Sequence, residues 1–188
     1  MCASPGLVNL PYTIWFICFG IGGLTTFPFI DKLGRLGSHK IFSTANILAQ
    51  IVIVFVPSML AHEIGFGLLG FFMAKHALSY SWAFELMPKE QKSLASTCIN
   101  TLDFSVCVYS GLYFLLAEEP DWKVLCYPLF FIGVFGYLMC TLLIPESPRW
   151  LLLQGRDAEA IQVLNYIGRI NRSPNRINPD TQFIEAGI

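Results

Sequence analysis

The chain has 188 residues, of which 54% are hydrophobic and 13% are charged, and its formal net charge is −1. This composition and a mean hydropathy of +0.56 are typical of an integral membrane protein and exclude an ordinary soluble domain. Nucleic-acid binding is not expected, because the net charge is not positive and the Arg residues of the C-terminal end are few.

Five apolar runs are each long enough to cross a bilayer as a helix, which takes roughly 20 residues. The second contains Ile51-Val-Ile-Val-Phe-Val56 and is the clearest. The first is interrupted by Gly20, Gly22 and Gly23, which we interpret as a surface for close helix packing, with a hinge as the alternative. The predicted spans are residues 8–30, 41–61, 64–84, 94–117 and 124–144.

The basic residues are distributed unevenly between the two sides of these spans. Ten of the twelve follow the first, third or fifth run, whereas Lys123 follows the fourth and Lys75 lies inside the third. By the positive-inside rule, the side with ten basic residues is cytoplasmic or its equivalent in an organelle. The N-terminus is therefore expected outside and the C-terminus inside.

The polar end of the chain divides into two predicted segments. Residues 151–170 are expected to form an amphipathic helix on the inner membrane surface, most clearly over 156–170, where Ile161, Leu164, Ile167 and Gly168 share one stripe. Residues 171–188 are expected to form a loose polar tail. Residues 1–150 then constitute the membrane domain.

The sequence contains no nucleophile elbow, phosphate-binding loop or zinc-protease motif. Most of its six cysteines lie in apolar runs, where Cys behaves as a small hydrophobic residue, and none has metal-ligand spacing. We therefore expect no enzymatic activity, no cofactor and no metal site.

Three charged motifs follow the first, third and fifth runs. They are Asp31-Lys-Leu-Gly-Arg35, Glu85-Leu-Met-Pro followed by Lys92, and Pro145-Glu-Ser-Pro-Arg-Trp150. Each alone is compatible with a solvated turn or a helix stop, since proline and glycine interrupt helices. Their order and spacing are more specific.

The ordered set resembles the major facilitator superfamily, in particular its organic-ion and sugar-transporter branches, where these motifs follow transmembrane helices 2, 4 and 6. The resemblance implies an all-α polytopic fold in which the five runs correspond to helices 2–6, a partial N-terminal half. It also implies an ion-pair set that latches the cytoplasmic gate in one state of an alternating-access cycle. Its members here would be Asp31, Arg35, Glu85, Lys92, Glu146 and Arg149.

The chain departs from the family pattern at several points. Phe27 and Leu36 stand where the family usually has Gly and a second basic residue, Lys92 stands where Arg is usual, and helix 1 and the C-terminal half have no counterpart. We therefore expect a fragment or truncated form of a secondary transporter of small organic solutes, unable to transport alone. The alternative is a transporter-derived structural subunit of a larger membrane complex. The expected partners are the lipid bilayer, a small organic solute and, on the alternative, other membrane subunits.

Three ionisable residues, Lys75, His76 and Asp103, lie within the predicted spans. Lys75 is ten residues from Glu85, and Asp103 is ten residues from Ser93. Both therefore lie at a depth of roughly 15 Å for a helical rise of 1.5 Å per residue. Because buried charges are costly, we predict that they form an ion pair between neighbouring antiparallel helices. A structural neutralising pair is preferred over a substrate or proton site.

Overall fold

The computed structural model describes residues 5–73 and 75–178, and every regular element in these ranges is helical. Helices end where the chain cannot continue them: Gly34 has a φ of +84°, while Pro57 and Pro88 lack an amide proton. The helices are α1 (Pro5–Leu33), α2 (Arg35–Phe55), α3 (Met59–Phe72), α4 (Lys75–Leu86), α5 (Lys89–Leu116), α6 (Trp122–Leu143), α7 (Pro148–Leu153) and α8 (Asp157–Ile170).

Four of these helices are long and apolar enough to cross a membrane: α1 from Asn9 onward, α2, α5 and α6. The all-α polytopic membrane fold predicted from the sequence is confirmed. The span predicted over 64–84 differs, because α3 and α4 divide it. At the end of α3, the N–H of Met73 bonds to the carbonyl of Gly70 at 3.1 Å, three residues back instead of four. Such a bond tightens the last turn of a helix.

Glycines bring α1 and α3 into backbone contact. A Cβ at Gly22 would collide with the carbonyl of Phe71, and a Cβ at Gly70 would collide with the carbonyl of Trp15. The packing interpretation of the first glycine cluster therefore holds at Gly22. Gly20 and Gly23 have open space beside them.

The link between α1 and α2 is shorter than predicted. Gly34 alone separates the two helices, so α2 begins six residues before the predicted run and Gly37 lies inside it. The helix also ends six residues early, because Val56 adopts an extended conformation (φ −98°, ψ 111°) before Pro57. The turn that the sequence places between these helices is therefore a single-residue break at Gly34.

The interior is small and lies on the α2 side of the molecule. Ile30, Phe42 and Leu78, from α1, α2 and α4, form a buried apolar cluster against which Phe72 packs. In contrast, α5 contains no buried residue.

The single helix predicted over 151–170 is two helices, α7 and α8. The N–H of Gly155 bonds to the carbonyl of Leu152 at 3.0 Å, and that of Arg156 to Leu151 at 2.9 Å, the Schellman arrangement that ends a helix. Gly155 supplies the positive φ of +68° that this ending needs. Trp150, Leu151 and Ala160 then form a buried cluster that holds α7 against α8.

The helix predicted most clearly over 156–170 coincides with α8, whose Ile161 is buried. The chain beyond it is less loose than predicted. Ile177 accepts a hydrogen bond from Asn165 Nδ2 at 3.0 Å and donates its N–H to Asn165 Oδ1 at 2.9 Å. This part of the tail is therefore held to α8, and residues 179–188 lie outside the described ranges.

Candidate functional site: a charge cluster at the helix ends

Four of the six predicted gate residues come together at one end of the helices. Asp31 lies near the end of α1, Arg35 begins α2, Glu85 lies in the last turn of α4, and Glu146 lies between α6 and α7. We call these four residues the charge cluster. Residues more than 100 positions apart in the sequence meet there.

Glu146 caps the amino terminus of α2. Its Oε1 accepts the backbone N–H of Arg35 at 2.9 Å, and both of its carboxylate oxygens accept the N–H of Leu36 at 3.1 Å. The first N–H groups of a helix have no partner within it and carry partial positive charge, so a carboxylate there satisfies them and is itself stabilised. Oε1 also accepts the N–H of Ser147 at 2.9 Å, which fixes the carboxylate to its own backbone.

Gly34 makes this approach possible. Its φ of 84° and ψ of 170° lie in a region that is essentially restricted to glycine. A Cβ at this position would lie 2.5 Å from Glu146 Oε2 and 3.2 Å from the Trp150 ring. Gly34 is therefore required both for the backbone turn and for the space that Glu146 occupies.

Arg35 joins α1 to α4. Its Nη1 lies 3.1 Å from Asp31 Oδ1, and its Nη2 lies 3.3 Å from Glu85 Oε1. The side chains of Arg35 and Glu85 are 14% and 12% exposed, whereas that of Asp31 is 78% exposed. Because water screens exposed ion pairs strongly, the contact with Glu85 is the stronger of the two.

Two tryptophans attach the same region to the linker after α6. Trp150 Nε1 donates to the carbonyl of Asp31 at 2.8 Å, and Trp82 Nε1 donates to the carbonyl of Pro145 at 3.1 Å. Ser147 caps α7 by accepting the N–H of Trp150 on its Oγ at 3.2 Å. The sequence analysis missed Trp82, although a tryptophan one turn before Glu85 was a detectable signal.

Lys92 and Arg149 form no ion pair with the charge cluster in the described part of the chain. Among the described residues, neither has a carboxylate oxygen within 4.0 Å; the ion pairs found there are Arg35–Asp31, Arg35–Glu85 and Arg156–Glu159. Arg149 is exposed on α7, and Lys92 is half-buried in the first turn of α5. The cluster thus contains one cation and three carboxylates, with the amino terminus of α2 as the additional positive element.

The predicted Lys75–Asp103 ion pair is wrong. Lys75 Nζ donates to Asn46 Oδ1 on α2 at 2.9 Å, and Asp103 Oδ2 accepts the hydroxyl proton of Tyr80 at 2.7 Å. Positions 75 and 80 are separated by about 140° around α4 at 3.6 residues per turn. Lys75 therefore contacts α2, while Tyr80 contacts α5. The equal depth of Lys75 and Asp103 was not sufficient to predict that they form an ion pair. Asn46 was also missed, although a polar residue within an apolar run was its signal.

Comparisons with known proteins agree with this architecture. Residues 13–185 match the sequence model of the family described as "Sugar (and other) transporter". The chain is 29% identical over 148 residues to sugar transporter ERD6-like 7 of Arabidopsis thaliana, covering 74% of this chain and 29% of that protein. It is 29% identical over 153 residues to the facilitated trehalose transporter Tret1 of Polypedilum vanderplanki, covering 78% and 28%.

A third relative is the organic cation/carnitine transporter 6 of Arabidopsis thaliana, which is 30% identical over 175 residues, covering 87% of this chain and 32% of that protein. The chain thus spans about three tenths of the length of the curated relatives it matches.

Proposed function

Because this chain belongs to the sugar (and other) transporter family, within the major facilitator superfamily, we propose that it provides five spans of a secondary transporter of small organic solutes. The helices α1, α2, α5 and α6 would each cross the membrane, and α3 with α4 would together supply the remaining span. In the superfamily order these are helices 2–6. The solute would be a sugar or a small organic ion, the classes named in the relatives' descriptions.

The charge cluster serves, on this proposal, as a reversible latch on the cytoplasmic side. The observation that carries it is Arg35, which contacts both α1 and α4 while its own backbone N–H binds Glu146 from the linker after α6. Four helix ends are thereby tied together by separate contacts that are each worth no more than about 3 kcal/mol, from about 0–1 kcal/mol for the exposed Arg35–Asp31 pair to more for the largely buried Arg35–Glu85 pair. Contacts of this strength can be broken and remade during a transport cycle.

The distribution of basic residues supports placing the cluster inside. Residues 32–40, 89–92 and 149–176 contain ten of the twelve Lys and Arg residues, and this excess is typical of the cytoplasmic side of a membrane protein. The exposed α5 supports the view that further helices pack beside this unit, because none of its residues is buried. Alternating access requires two such units moving around a shared site.

An uptake measurement tests the proposal. The protein would be purified from its native membrane together with whatever copurifies and reconstituted in liposomes, and uptake of a labelled hexose, trehalose and carnitine would be followed. We expect saturable uptake of at least one solute and its loss in Arg35→Ala. Arg169→Ala is the matched control, because Arg169 is exposed on α8.

If the wild-type preparation takes up none of these solutes at a saturable rate, and the chain is recovered in fixed stoichiometry with other membrane proteins, the transporter proposal fails. The chain would then be a structural subunit derived from a transporter.

A further inference from the structure

A cavity of about 220 Å³ lies between α2, α4 and α6, away from the charge cluster. Its polar wall is formed by hydrogen-bond donors from all three helices. They include His39, Ser43, Gln50, Lys75, His76 and Tyr137. No Asp or Glu occurs among the described residues that line it; Asp103 lines an adjoining cavity, where its carboxylate is bound by Tyr80.

Lys75 brings a charge to this cavity without a counter-ion from the protein. Its Nζ donates to the neutral amide oxygen of Asn46 at 2.9 Å, and among the described residues no carboxylate oxygen lies within 4.0 Å of it. An ammonium group has three protons, of which this bond uses one. A charged side chain at this depth is costly unless it is paired, so the remaining protons call for an acceptor.

Asn46 orients two walls of the cavity at once. The same Oδ1 that accepts from Lys75 accepts from Gln50 Nε2 at 3.0 Å. Asn46 is itself 2% exposed, so its position is fixed by packing. The ammonium of Lys75 and the amide of Gln50 are therefore held side by side with donor capacity to spare.

His39 is the second independent sign of a ligand. It is 7% exposed, and neither Nδ1 nor Nε2 has a hydrogen-bond partner among the described residues. An imidazole has at least one N–H in every protonation state, and a buried unpaired donor is destabilising. The ring lies between Trp82 and Tyr137, with ring centroids 5.4 and 6.2 Å away, which fixes it at the cavity wall.

From these donors, the single positive charge and the lack of lining carboxylates, we infer that the cavity binds a short-chain monocarboxylate. Lys75 would bind the carboxylate with Gln50, Ser43 and His39 as further donors. Ile47 and Gly136 form part of the apolar wall, which suits a short alkyl group better than a fully hydrated inorganic ion. The site lies within one helical bundle, so the inference does not depend on transport by the chain.

Binding can be measured on the purified protein in lipid nanodiscs. Acetate and propionate would be titrated at constant ionic strength and pH 7, with tryptophan fluorescence and the thermal unfolding temperature as readouts. Trp82 reports on the site because its ring contacts His39. Acetamide, the neutral isostere of acetate, is the ligand control. We expect saturable binding of the two carboxylates and none of acetamide.

Variants locate the site. Lys75→Met should weaken propionate binding by about thirtyfold or more, as expected when one partner of a buried charge pair is removed. Lys123→Met, at the start of α6 and away from the cavity, should bind like the wild type. Ser43→Ala removes one donor at little risk to folding and should weaken binding about fivefold, which provides a second test if Lys75→Met does not fold.

Several results would overturn the inference. They are the lack of saturable binding of acetate or propionate to the wild type, equal binding of acetamide, and unchanged binding by folded Lys75→Met or Ser43→Ala. Binding of chloride but of neither carboxylate would overturn the assignment of the ligand class.

Discussion

The carboxylate of Glu146 lies against the first backbone N–H of α2, where it accepts the hydrogen bond of Arg35 at 2.9 Å across 111 positions of sequence. The side chain of Arg35 binds the other two carboxylates of the cluster. One residue therefore presents its backbone to Glu146 and its guanidinium to Asp31 and Glu85. This arrangement connects the linker after α6 to α2 without a direct ion pair between the two side chains.

Two substitutions of Glu146, the residue that caps α2, should destabilise the protein to different extents. Glu146→Ala removes the acceptor for Arg35 and Leu36 and should lower the free energy of unfolding by about 1–2 kcal/mol. Glu146→Gln keeps one carbonyl oxygen but removes the charge, so its effect should be smaller, about 0.3–1 kcal/mol. Thermal unfolding in nanodiscs measures both. Glu118→Gln, at an exposed position, is the control, and an equal effect there would contradict a capping role.

Gly34 and Gly155 should respond differently to alanine. Both have positive φ, so each substitution should cost about 1–3 kcal/mol through backbone strain. Only at Gly34 does the new Cβ also meet Glu146. Gly34→Ala should therefore destabilise more than Gly155→Ala, and Gly34→Ala/Glu146→Ala should destabilise less than the sum of its single substitutions. Additive unfolding free energies would show that the contact with Glu146 is unimportant.

The two ion pairs of Arg35 should be unequal. Asp31→Asn alters a pair whose carboxylate is 78% exposed, so its effect on unfolding should be about 0–1 kcal/mol and should fall further with added salt. Glu85→Gln alters a carboxylate that is 12% exposed, and about 1–3 kcal/mol is expected because a largely buried charge on Arg35 loses its partner. Denaturation of both variants at low and high salt measures the difference, and the reverse order would contradict it.

The partners of Asp103 can be assigned by double-mutant cycles. Tyr80 and Asp103 form a hydrogen bond of 2.7 Å, so Tyr80→Phe with Asp103→Asn should give a coupling energy of about 1 kcal/mol. Lys75→Met with Asp103→Asn should give less than about 0.5 kcal/mol, the range for residues without shared partners. A coupling energy for Lys75 and Asp103 larger than that for Tyr80 and Asp103 would instead support the Lys75–Asp103 ion pair.

The sequence predicted the fold class because that depends on local pattern, whereas the charge cluster was expected from the resemblance to a transporter family. Apolar runs of span length indicate membrane helices regardless of how those helices pack, and the motifs around Asp31, Glu85 and Glu146 fall at helix ends that proline and glycine define. That Arg35 and Glu146 would belong to one ion-pair set was implied by the resemblance to the major facilitator superfamily. The nature of their contact was not, because backbone capping depends on the conformation of Gly34 rather than on charge.

The interior polar contacts required knowledge of helix rotation. The depth of Lys75 and Asp103 is a count along the chain, whereas their partners depend on which side of α4 and α5 each residue occupies. Asn46 binds Lys75 because the side chain of Asn46 on α2 faces that of Lys75 on α4. The division of 64–84 into α3 and α4 was likewise not detectable from hydropathy, because a hydropathy window averages over the turn at Met73.

The accessibility of Ser38 measures the proposed latch most directly. Ser38 is fully buried in the first turn of α2, beside the cluster, whereas Lys40 is exposed two residues later. In a background without native cysteines, Ser38→Cys would be labelled by a membrane-impermeant thiol reagent added from the cytoplasmic side, with Lys40→Cys as the reference. We predict slow labelling that accelerates about fivefold in Glu85→Gln and Glu146→Ala, since about 1 kcal/mol shifts an equilibrium by that factor. Labelling of Ser38→Cys as fast as Lys40→Cys, or unchanged by either substitution, would contradict the latch.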